Sequence, residues 1–243
     1  MAYLLYGIVK NPAAVVNSGD KTGIKGVKGN PLIFVKGHGL CAAVSQLDVE
    51  ESAPPVAQLL DYSRVVETLH SCQAVIPMRY GCFLNGIQAI RDVLKAKQRQ
   101  YEILLAELAG HVEMGIRILL PEESADPLKE EQPADGRDYL LQRKAHYRMR
   151  EESSQQDVML VEHCLQAFAG LYGRHRTETA VKNGTVILSL YFLVLKSHVD
   201  HFQETFGKLT ANGKTQSLLS GPWPPYNFVT PDLAAANGSS FRD

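Results

Sequence analysis

A proline-rich segment close to the C-terminus, Gly221 to Val229, constrains this 243-residue chain more than any other stretch. It holds the only tryptophan and three of the twelve prolines. Because proline fixes φ, lacks a backbone donor and pushes the preceding residue toward extended geometry, we expect no helix in this segment and a rigid elbow from Pro222 to Pro225. A mobile tail is normally poor in aromatic residues. We therefore expect Trp223, Tyr226 and Phe228 to dock on the chain's own domain rather than to lie exposed together.

The composition is that of an ordinary globular protein, with 45% hydrophobic and 21% charged residues. A net charge of −1 provides no basic field, which argues against nucleic acid as a partner. The longest apolar run, Val186 to Leu195, is far shorter than the ~20 residues that span a bilayer, so no lipid membrane is expected. The N-terminus lacks a signal-peptide pattern. We expect a cytoplasmic protein with reduced, mostly buried thiols. The cysteines are Cys41, Cys72, Cys82 and Cys164.

Apolar periodicity predicts an α+β fold for the first half of the chain. The predicted strands are Tyr3–Val9, Leu32–Lys36, Leu40–Leu47, Ala74–Arg79 and Val112–Leu120. The predicted helices are Val56–Gln73 and Gly86–Ala109. Alternating apolar and polar residues indicate that the last strand buries one face, and we expect the helices on one face of the sheet.

Local signals add detail to this half. Asn85 and Gln88 have the spacing of a capping box at the start of the second helix, and Gly110 is placed to end it. The segment Ser18–Asn30 has four glycines and three lysines, which predicts an exposed loop.

The second half is predicted to begin after an acidic, proline-rich stretch that is stiff and poor in core-forming residues, as a linker requires. A long helix is expected within Tyr139–Tyr172, a later helix at Ser197–Ala211 and a strand at Thr215–Leu219. Asn183-Gly184 between two β-rich runs, Thr177–Lys182 and Thr185–Lys196, predicts a hairpin. The predicted divisions are an N-terminal α+β domain (1–121), a linker (122–137), a C-terminal α+β domain (138–221) and a tail docked through its aromatic residues (222–243).

Three short motifs resemble known sites, and each has a simpler explanation. Gly213-Lys214-Thr215 resembles the end of a phosphate-binding loop, but the upstream glycine is misplaced by one residue, so a turn is favoured. His198 and His201 stand three apart at a helix start, and two ligands do not make a zinc site. His163 and Cys164 are adjacent on a helix and point about 100° apart, which favours a buried cysteine beside an exposed histidine. The sequence therefore predicts no enzyme activity, no cofactor and no metal.

Two further segments could bind a partner or hold the structure together. Val75 to Gly81 is predicted as a strand that ends at proline and then presents Arg79 and Tyr80. This arrangement suits a binding edge, or an arginine paired with a carboxylate beside a tyrosine packed on the sheet. Pro222 and Pro225 match the bare PxxP pattern of ligands for SH3-type grooves, although docking within the chain is favoured. The candidate residues for partner binding or a structural clamp are Pro77, Met78, Arg79, Tyr80, Trp223, Pro224, Pro225, Tyr226 and Phe228.

The chain resembles the gas vesicle protein F/L family in four ordered blocks. The blocks are Tyr3-Leu4-Leu5-Tyr6-Gly7, Val75-Ile76-Pro77-Met78-Arg79-Tyr80-Gly81, Tyr191-Phe192-Leu193-Val194 and Ser220-Gly221-Pro222-Trp223-Pro224-Pro225-Tyr226-Asn227-Phe228. The last is similar to the family's Gly-Pro-Trp-Pro-Pro-Tyr-x-Phe motif and is the most specific. Tyr80, where phenylalanine is common, and Met114, where tryptophan often follows the glutamate, depart from the pattern. The opening strand is closer to the F-type than to the L-type.

The resemblance implies an α+β fold of two ferredoxin-like α/β sandwich domains followed by a C-terminal tail. It also implies a non-catalytic accessory role, in which the chain binds the major gas vesicle shell protein and assists nucleation, assembly or stability. Other gas vesicle accessory proteins are further implied partners. The implied location is the gas vesicle, the gas-facing side of its shell included, and the cytoplasm. The alternative is a ferredoxin-like regulatory module that binds a small molecule between its domains.

Overall fold

The computed structural model describes residues 2–12, 24–47, 53–120, 158–182, 185–211 and 216–229. The chain divides into two compact units, of which the first comprises Met1–Glu113 with Gly221–Asp243 and the second comprises Met114–Ser220. The chain therefore leaves the first unit after Glu113 and returns to it at Gly221. The predicted linker 122–137, the first part of the predicted helix (139–157) and the Gly213-Lys214-Thr215 turn lie outside the described residues.

The predicted α+β class is confirmed. The strands are β1 (Ala2–Val9), β2 (Ile33–Gly37), β3 (Leu40–Gln46), β4 (Ile76–Pro77), β5 (Phe83–Asn85), β6 (His111–Leu120), β7 (Tyr172–Lys182), β8 (Thr185–Leu195) and β9 (Gln216–Trp223). The helices are α1 (Val56–Cys72), α2 (Gly86–Ala96), α3 (Gln98–Leu108), α4 (described over 158–167) and α5 (Val199–Thr210). Within the described ranges, no helix combines the length and the apolar character needed to cross a bilayer.

The sheet of the first unit has the strand order β2-β3-β1-β4, and β5 also pairs with β1. Both β4 and β5 run antiparallel to β1, with Gly7 opposite Pro77 and Leu4 opposite Phe83. These two short strands, separated by residues 78–82, together occupy the position of one edge strand. β5 was not predicted, because three residues are too few to show a period.

Helices pack on both faces of this sheet, which corrects the expectation of helices on one face. Gly37 pairs with Leu40, and a Cβ at Gly37 would lie 3.4 Å from the Leu94 side chain of α2. Cys41, the next residue after Leu40, points to the opposite face. The core cluster on that face joins α1 to β1 and β3 through Tyr62, Val65, Leu69, Leu4, Tyr6, Cys41 and Ala43. Buried on both sides, β1 and β3 have the continuous apolar sequences typical of such strands.

The second predicted helix of this unit is divided at Lys97 (φ −111°, ψ 13°) into α2 and α3. No proline or glycine marks this break in the sequence. The predicted capping box is also wrong, because the Asn85 side chain makes no capping hydrogen bond and Gln88 donates to Asp92 Oδ1 (2.9 Å). Asn85 belongs to β5, so sheet pairing determines its orientation. Gly110 adopts φ +73° after α3, which confirms the predicted stop.

The prediction that the loop Ser18–Asn30 is exposed is wrong at Gly26 and Val27, because both residues are buried. The Val27 N–H donates to Tyr6 Oη (2.8 Å), and the same hydroxyl shares a hydrogen bond with Ser45 Oγ (2.7 Å). A Cβ at Gly26 would collide with Tyr6 Oη and lie 2.9 Å from Ser45 Oγ. The absence of a side chain at Gly26 therefore lets the loop enter the core.

The second unit has the chain order β6-α4-β7-β8-α5-β9 and the sheet order β7-β8-β6-β9. This β-α-β-β-α-β arrangement is ferredoxin-like. Lys182 pairs with Thr185, so the hairpin predicted around Asn183-Gly184 is confirmed. The core of the second unit contains three phenylalanines. The ring centroid of Phe168 lies 4.2 Å from that of Phe202 and 5.5 Å from that of Phe192.

Candidate functional site in the first unit

The described C-terminal segment, residues 221–229, packs within the first unit. Pro224, Pro225 and Phe228 are buried, and Tyr226 packs against the core cluster that contains α1. Trp223 is 45% exposed, contrary to the expectation that all three aromatic rings dock. The structure therefore divides the aromatic residues of this segment into two that pack and one that faces solvent.

The end of the segment forms a turn after the predicted elbow, which corrects the expectation that no part of Gly221–Val229 is helical. Residues Tyr226–Phe228 form a 3-10 turn, in which the Tyr226 N–H donates to Pro224 O (2.8 Å) and the Phe228 N–H donates to Pro225 O (3.3 Å). Proline restricts itself and the residue before it, but the residues after Pro225 have free N–H groups. The restriction therefore ends at Pro225.

A buried glutamate of β6 binds the segment. Glu113 is 5% exposed, and its Oε2 accepts a hydrogen bond from the Asn227 backbone N–H (2.8 Å). Its Oε1 accepts from Asn227 Nδ2 (2.7 Å). Two donors of one residue thus satisfy both oxygens of the carboxylate, an arrangement with the strength of charge-assisted hydrogen bonds. The burial of Glu113 and Gly115 also corrects the prediction that β6 buries one face only.

The predicted Pro-Met-Arg-Tyr motif lies beside the tyrosine-rich part of the core. Pro77 pairs with Gly7, and the Met78 N–H donates to Tyr6 O (2.9 Å). The single hydroxyl proton of Tyr62 on α1 is shared between Met78 O (2.8 Å from Oη) and Leu5 O (2.9 Å). Pro77 and Met78 are buried, so their part in the motif is to join the sheet to α1.

Arg79 and Tyr80 differ in their environments. Tyr80 packs edge-on against Tyr62, with ring centroids 5.3 Å apart, and its hydroxyl donates to Gln58 Oε1 (2.9 Å). Arg79 is exposed, and its Nη2 donates to Asn227 Oδ1 at the long distance of 3.5 Å instead of to the expected carboxylate. The Asn227 amide therefore accepts from a cation through its oxygen and donates to Glu113 through its nitrogen.

The tyrosines around this motif are held neutral. Burial is the main cause that raises the pKa of Tyr62, and nearby Tyr226 and Cys82 add to it. Burial, followed by the negative charges of Glu67 and Glu113, raises the pKa of Tyr226. Burial also raises the pKa of Tyr6. Neutral phenols can donate hydrogen bonds and pack against apolar neighbours. These tyrosines are therefore suited to holding the C-terminal segment against the core.

The other candidate residues named from the sequence do not form a comparable cluster. His163 is exposed and Cys164 is buried, as predicted, and burial raises the pKa of the Cys164 thiol. His198 lies in a 3-10 turn before α5, and His201 is exposed on that helix. Across the part of the chain that the structure describes, no group of three or more His, Cys, Asp or Glu side chains is placed to hold a metal ion.

Three residues of the site were not anticipated from sequence. Glu113 belongs to the polar row of β6 that the alternating pattern predicts to face solvent, and Asn227 stands at the variable position of the C-terminal motif. Tyr62 lies on the same face of α1 as Val65, Val66 and Leu69, but the periodicity gives no sign that its hydroxyl bonds to the sheet. A glutamate between Val112 and Met114 in a mostly apolar strand is the one signal that could have revealed the buried carboxylate.

Comparison with known proteins agrees with this architecture. The chain is 23% identical to gas vesicle protein F2 of Halobacterium salinarum over 95% of its own length and 93% of that protein. It is 26% identical to gas vesicle protein F of a Streptomyces species, over 94% of this chain and 100% of that one. The crystal structure of gas vesicle protein GvpF from Anabaena has a TM-score of 0.76 at 14% identity, covering 94% of this chain and 96% of that chain. The crystal structure of GvpF from Microcystis aeruginosa has a TM-score of 0.73, also at 14% identity, and covers 94% of this chain and 99% of that chain.

The structural neighbours show that the fold is shared. The family model described as gas vesicle synthesis protein GvpL/GvpF matches residues 2–230, which is nearly the whole chain. This match covers the described residues of both compact units, the C-terminal segment included. The chain therefore belongs to the GvpL/GvpF family of gas vesicle synthesis proteins and has an accessory role related to gas vesicles.

Proposed function

We propose that this chain is a non-catalytic accessory factor that binds the major gas vesicle shell protein and assists nucleation, assembly or stability of the vesicle. Family membership supports the connection to gas vesicles. The observation that carries the proposed binding is Trp223, a large aromatic residue that is 45% exposed beside prolines that are buried.

The physical argument concerns how Trp223 is presented. It ends β9, and Pro224 and Pro225 follow it directly. Because these neighbours are buried, the backbone that carries the indole is already ordered before a partner arrives. Binding then costs less conformational entropy than it would on a mobile loop. Rigidly held tryptophan and arginine side chains are the residues most enriched among binding hot spots.

The candidate residues accordingly take two roles in this proposal. Trp223 and Arg79, both exposed, contact the partner. The remaining candidates clamp the C-terminal segment to the first unit, and they are Pro77, Met78, Tyr80, Pro224, Pro225, Tyr226 and Phe228. An apolar shell-protein monomer bound to this surface would be kept from premature aggregation during nucleation. Other gas vesicle accessory proteins are further partners under this proposal, and the vesicle and the cytoplasm are the locations.

Because Trp223 is the only tryptophan, labelling this chain with 5-fluorotryptophan gives a single ¹⁹F resonance at the proposed contact. Unlabelled shell protein adds no signal of its own. We expect the resonance to shift or broaden when shell protein is added under conditions in which vesicles assemble. Trp223→Ala is expected to weaken the affinity for shell protein by roughly thirtyfold, since a hot-spot residue contributes about 2 kcal/mol.

The matched control is Ile103→Ala on α3, which removes another exposed hydrophobic side chain (61% exposed) from the same unit. This variant should bind shell protein as the unmodified chain does. Failure of the unmodified chain to associate with shell protein would remove the proposal. Equal losses in the two variants would remove the assignment to Trp223.

A further inference from the structure

The sheet of the second unit has one face covered by helices. Phe192 of β8 contacts Phe202 of α5, with ring centroids 5.3 Å apart, and contacts Phe168 immediately after α4. Side chains alternate between the two faces along a strand. Leu188, Leu190 and Val194 therefore share the helix-covered face with Phe192, and all three are buried.

The opposite face can be assigned from the positions of three residues on three strands. A Cβ at Gly115 of β6 would lie 3.8 Å from the Tyr191 ring and 2.7 Å from Ser220 Oγ. Since Tyr191 adjoins Phe192, it points away from the helices. The exposed residues that alternation and pairing place with Tyr191 on this second face include Arg117 and Leu119 of β6, Arg174 and Arg176 of β7, Leu195 of β8 and Leu218 of β9.

This second face, which we call the basic sheet face, is both apolar and positively charged. Leu119, Leu195 and Leu218 are 38%, 40% and 62% exposed. Ser189 and Leu193 on the same face are buried, whereas Glu178, Ala180 and Lys182 of β7 and Gln216 and Ser220 of β9 are also exposed on it. The charged side chains that β6 and β7 contribute from the second unit are Arg117, Arg174, Arg176, Glu178 and Lys182. Arg176 forms an ion pair with Glu178 (3.1 Å), and the charges of Arg117, Arg174 and Lys182 leave this face net positive, although the whole chain has a net charge of −1.

We infer that the basic sheet face docks an amphipathic helix whose apolar stripe is flanked by acidic side chains. Exposed leucines match the apolar stripe, and the arginines match its carboxylates. Four strands spaced about 4.8 Å apart are about 14 Å wide, which accommodates a helix of about 10–12 Å diameter. The assignment of this helix to a gas vesicle protein rests on the proposed function. The chemistry of the surface is independent of the proposed function.

Nucleic acid is the competing occupant for a ferredoxin-like sheet that carries arginines and an aromatic residue. Sequence-tolerant RNA binding normally uses stacking aromatics on both central strands. Here β8 contributes Tyr191, but its neighbour on β6 is Gly115 and β6 contains no aromatic residue. Exposed leucines are also better suited to an apolar protein partner than to phosphates and bases.

The test measures fluorescence anisotropy of labelled probes with the full chain. The first probe is a synthetic amphipathic helix of about 20 residues with a leucine stripe and glutamate flanks, and the second has lysine flanks in their place. The third probe is a single-stranded RNA oligonucleotide. We expect the glutamate-flanked peptide to bind roughly tenfold more tightly than the lysine-flanked one, and its affinity to fall as salt is raised.

Variants then locate the binding surface. Leu218→Ser and Arg117→Glu should each weaken the glutamate-flanked peptide by roughly tenfold, since one leucine or one charge pair is lost. The matched controls on α3, Ile103→Ser and Arg99→Glu, also alter exposed side chains and should leave affinity unchanged.

Several results would overturn the inference. These are no peptide binding up to about 1 mM, equal affinity for both peptides, equal effects of the α3 variants, or tighter binding of RNA than of the glutamate-flanked peptide. In each case the ¹⁹F experiment on Trp223 still reports separately on the proposed function. Loss of the Trp223 response alone would remove that function and leave the basic sheet face as a peptide-binding surface.

Discussion

Replacing Glu113 by glutamine changes the buried group that binds the C-terminal segment while keeping its shape. In the wild type the carboxylate accepts from the Asn227 backbone N–H (2.8 Å) and from Asn227 Nδ2 (2.7 Å). Glutamine presents one acceptor oxygen and one NH₂ donor in the same space. In the variant, one donor of Asn227 therefore faces another donor.

The magnitude follows from the two hydrogen bonds and their burial. A hydrogen bond to a charged group contributes about 1.5–3 kcal/mol, and a neutral one about 1 kcal/mol. Glu113→Gln loses one charged bond and converts the other to a neutral bond, so we expect a loss of about 2–5 kcal/mol in the free energy of unfolding. The exposure of only 5% means that water offers little replacement.

Urea unfolding with two probes measures this loss. Trp223 fluorescence reports on the C-terminal segment, because the only tryptophan lies four residues before Asn227, whereas far-ultraviolet circular dichroism reports on both units. A double-mutant cycle with Asn227→Ala should give a coupling energy of about 2 kcal/mol. Glu178→Gln is the control, since its ion pair with Arg176 (3.1 Å) is 45% exposed on both sides and is expected to contribute less than about 0.5 kcal/mol.

A coupling energy near zero between Glu113 and Asn227 would refute the reasoning. The same conclusion would follow if Glu113→Gln and Glu178→Gln changed the Trp223 transition equally. A transition that moves by fluorescence but not by circular dichroism would show that the segment detaches before the first unit unfolds.

Three further predictions concern the interior. Tyr101→Phe should raise the free energy of unfolding by about 1 kcal/mol, because the buried Tyr101 hydroxyl has no hydrogen-bond partner among the described residues. Tyr62→Phe removes the hydroxyl that bonds to two backbone carbonyls. It should lower the free energy of unfolding by a similar amount in the same urea titration. Gly26→Ala should lower the melting temperature by several degrees through collision with the core, whereas Gly207→Ala, with open space in α5, should raise stability by about 0.5–1 kcal/mol. Burial raises the pKa of Cys41 from 9.0 to about 11, so deprotonation of this thiol disfavours the folded state. The stabilising contribution of the neutral thiol is complete below pH 9 and is lost as the pH rises through 11. Cys41→Ala should therefore flatten the fall in melting temperature over that interval.

Elements whose cause is local were predictable from sequence. The helix Val56–Cys72, the stop at Gly110 and the hairpin with Lys182 opposite Thr185 all follow from periodicity or from residues that tolerate φ > 0. The division of one predicted helix at Lys97 was not predictable, because neither proline nor glycine marks it. The failed capping box at Asn85 has a tertiary cause, since pairing with β1 determines how that residue is oriented.

The candidate site shows the same division between local and distant causes. Sequence motifs identified the Pro77–Tyr80 and Trp223–Phe228 segments, but not the residues that connect them. Glu113 and Asn227 are 114 positions apart, and their hydrogen bonds leave no periodic trace in either neighbourhood. The entry of Val27 into the core likewise depends on the distant Tyr6 hydroxyl.

By itself, the amino-acid sequence determined the α+β class, most strands and helices, and the family, because these depend on short-range patterns and on ordered motifs. Tertiary structure alone decided that helices cover both faces of the first sheet and that Glu113 is buried. It also decided that Trp223 stays 45% exposed while Phe228 is buried. The physical reason is that burial depends on which distant segments meet, and a linear pattern records how apolar a residue is but not what covers it.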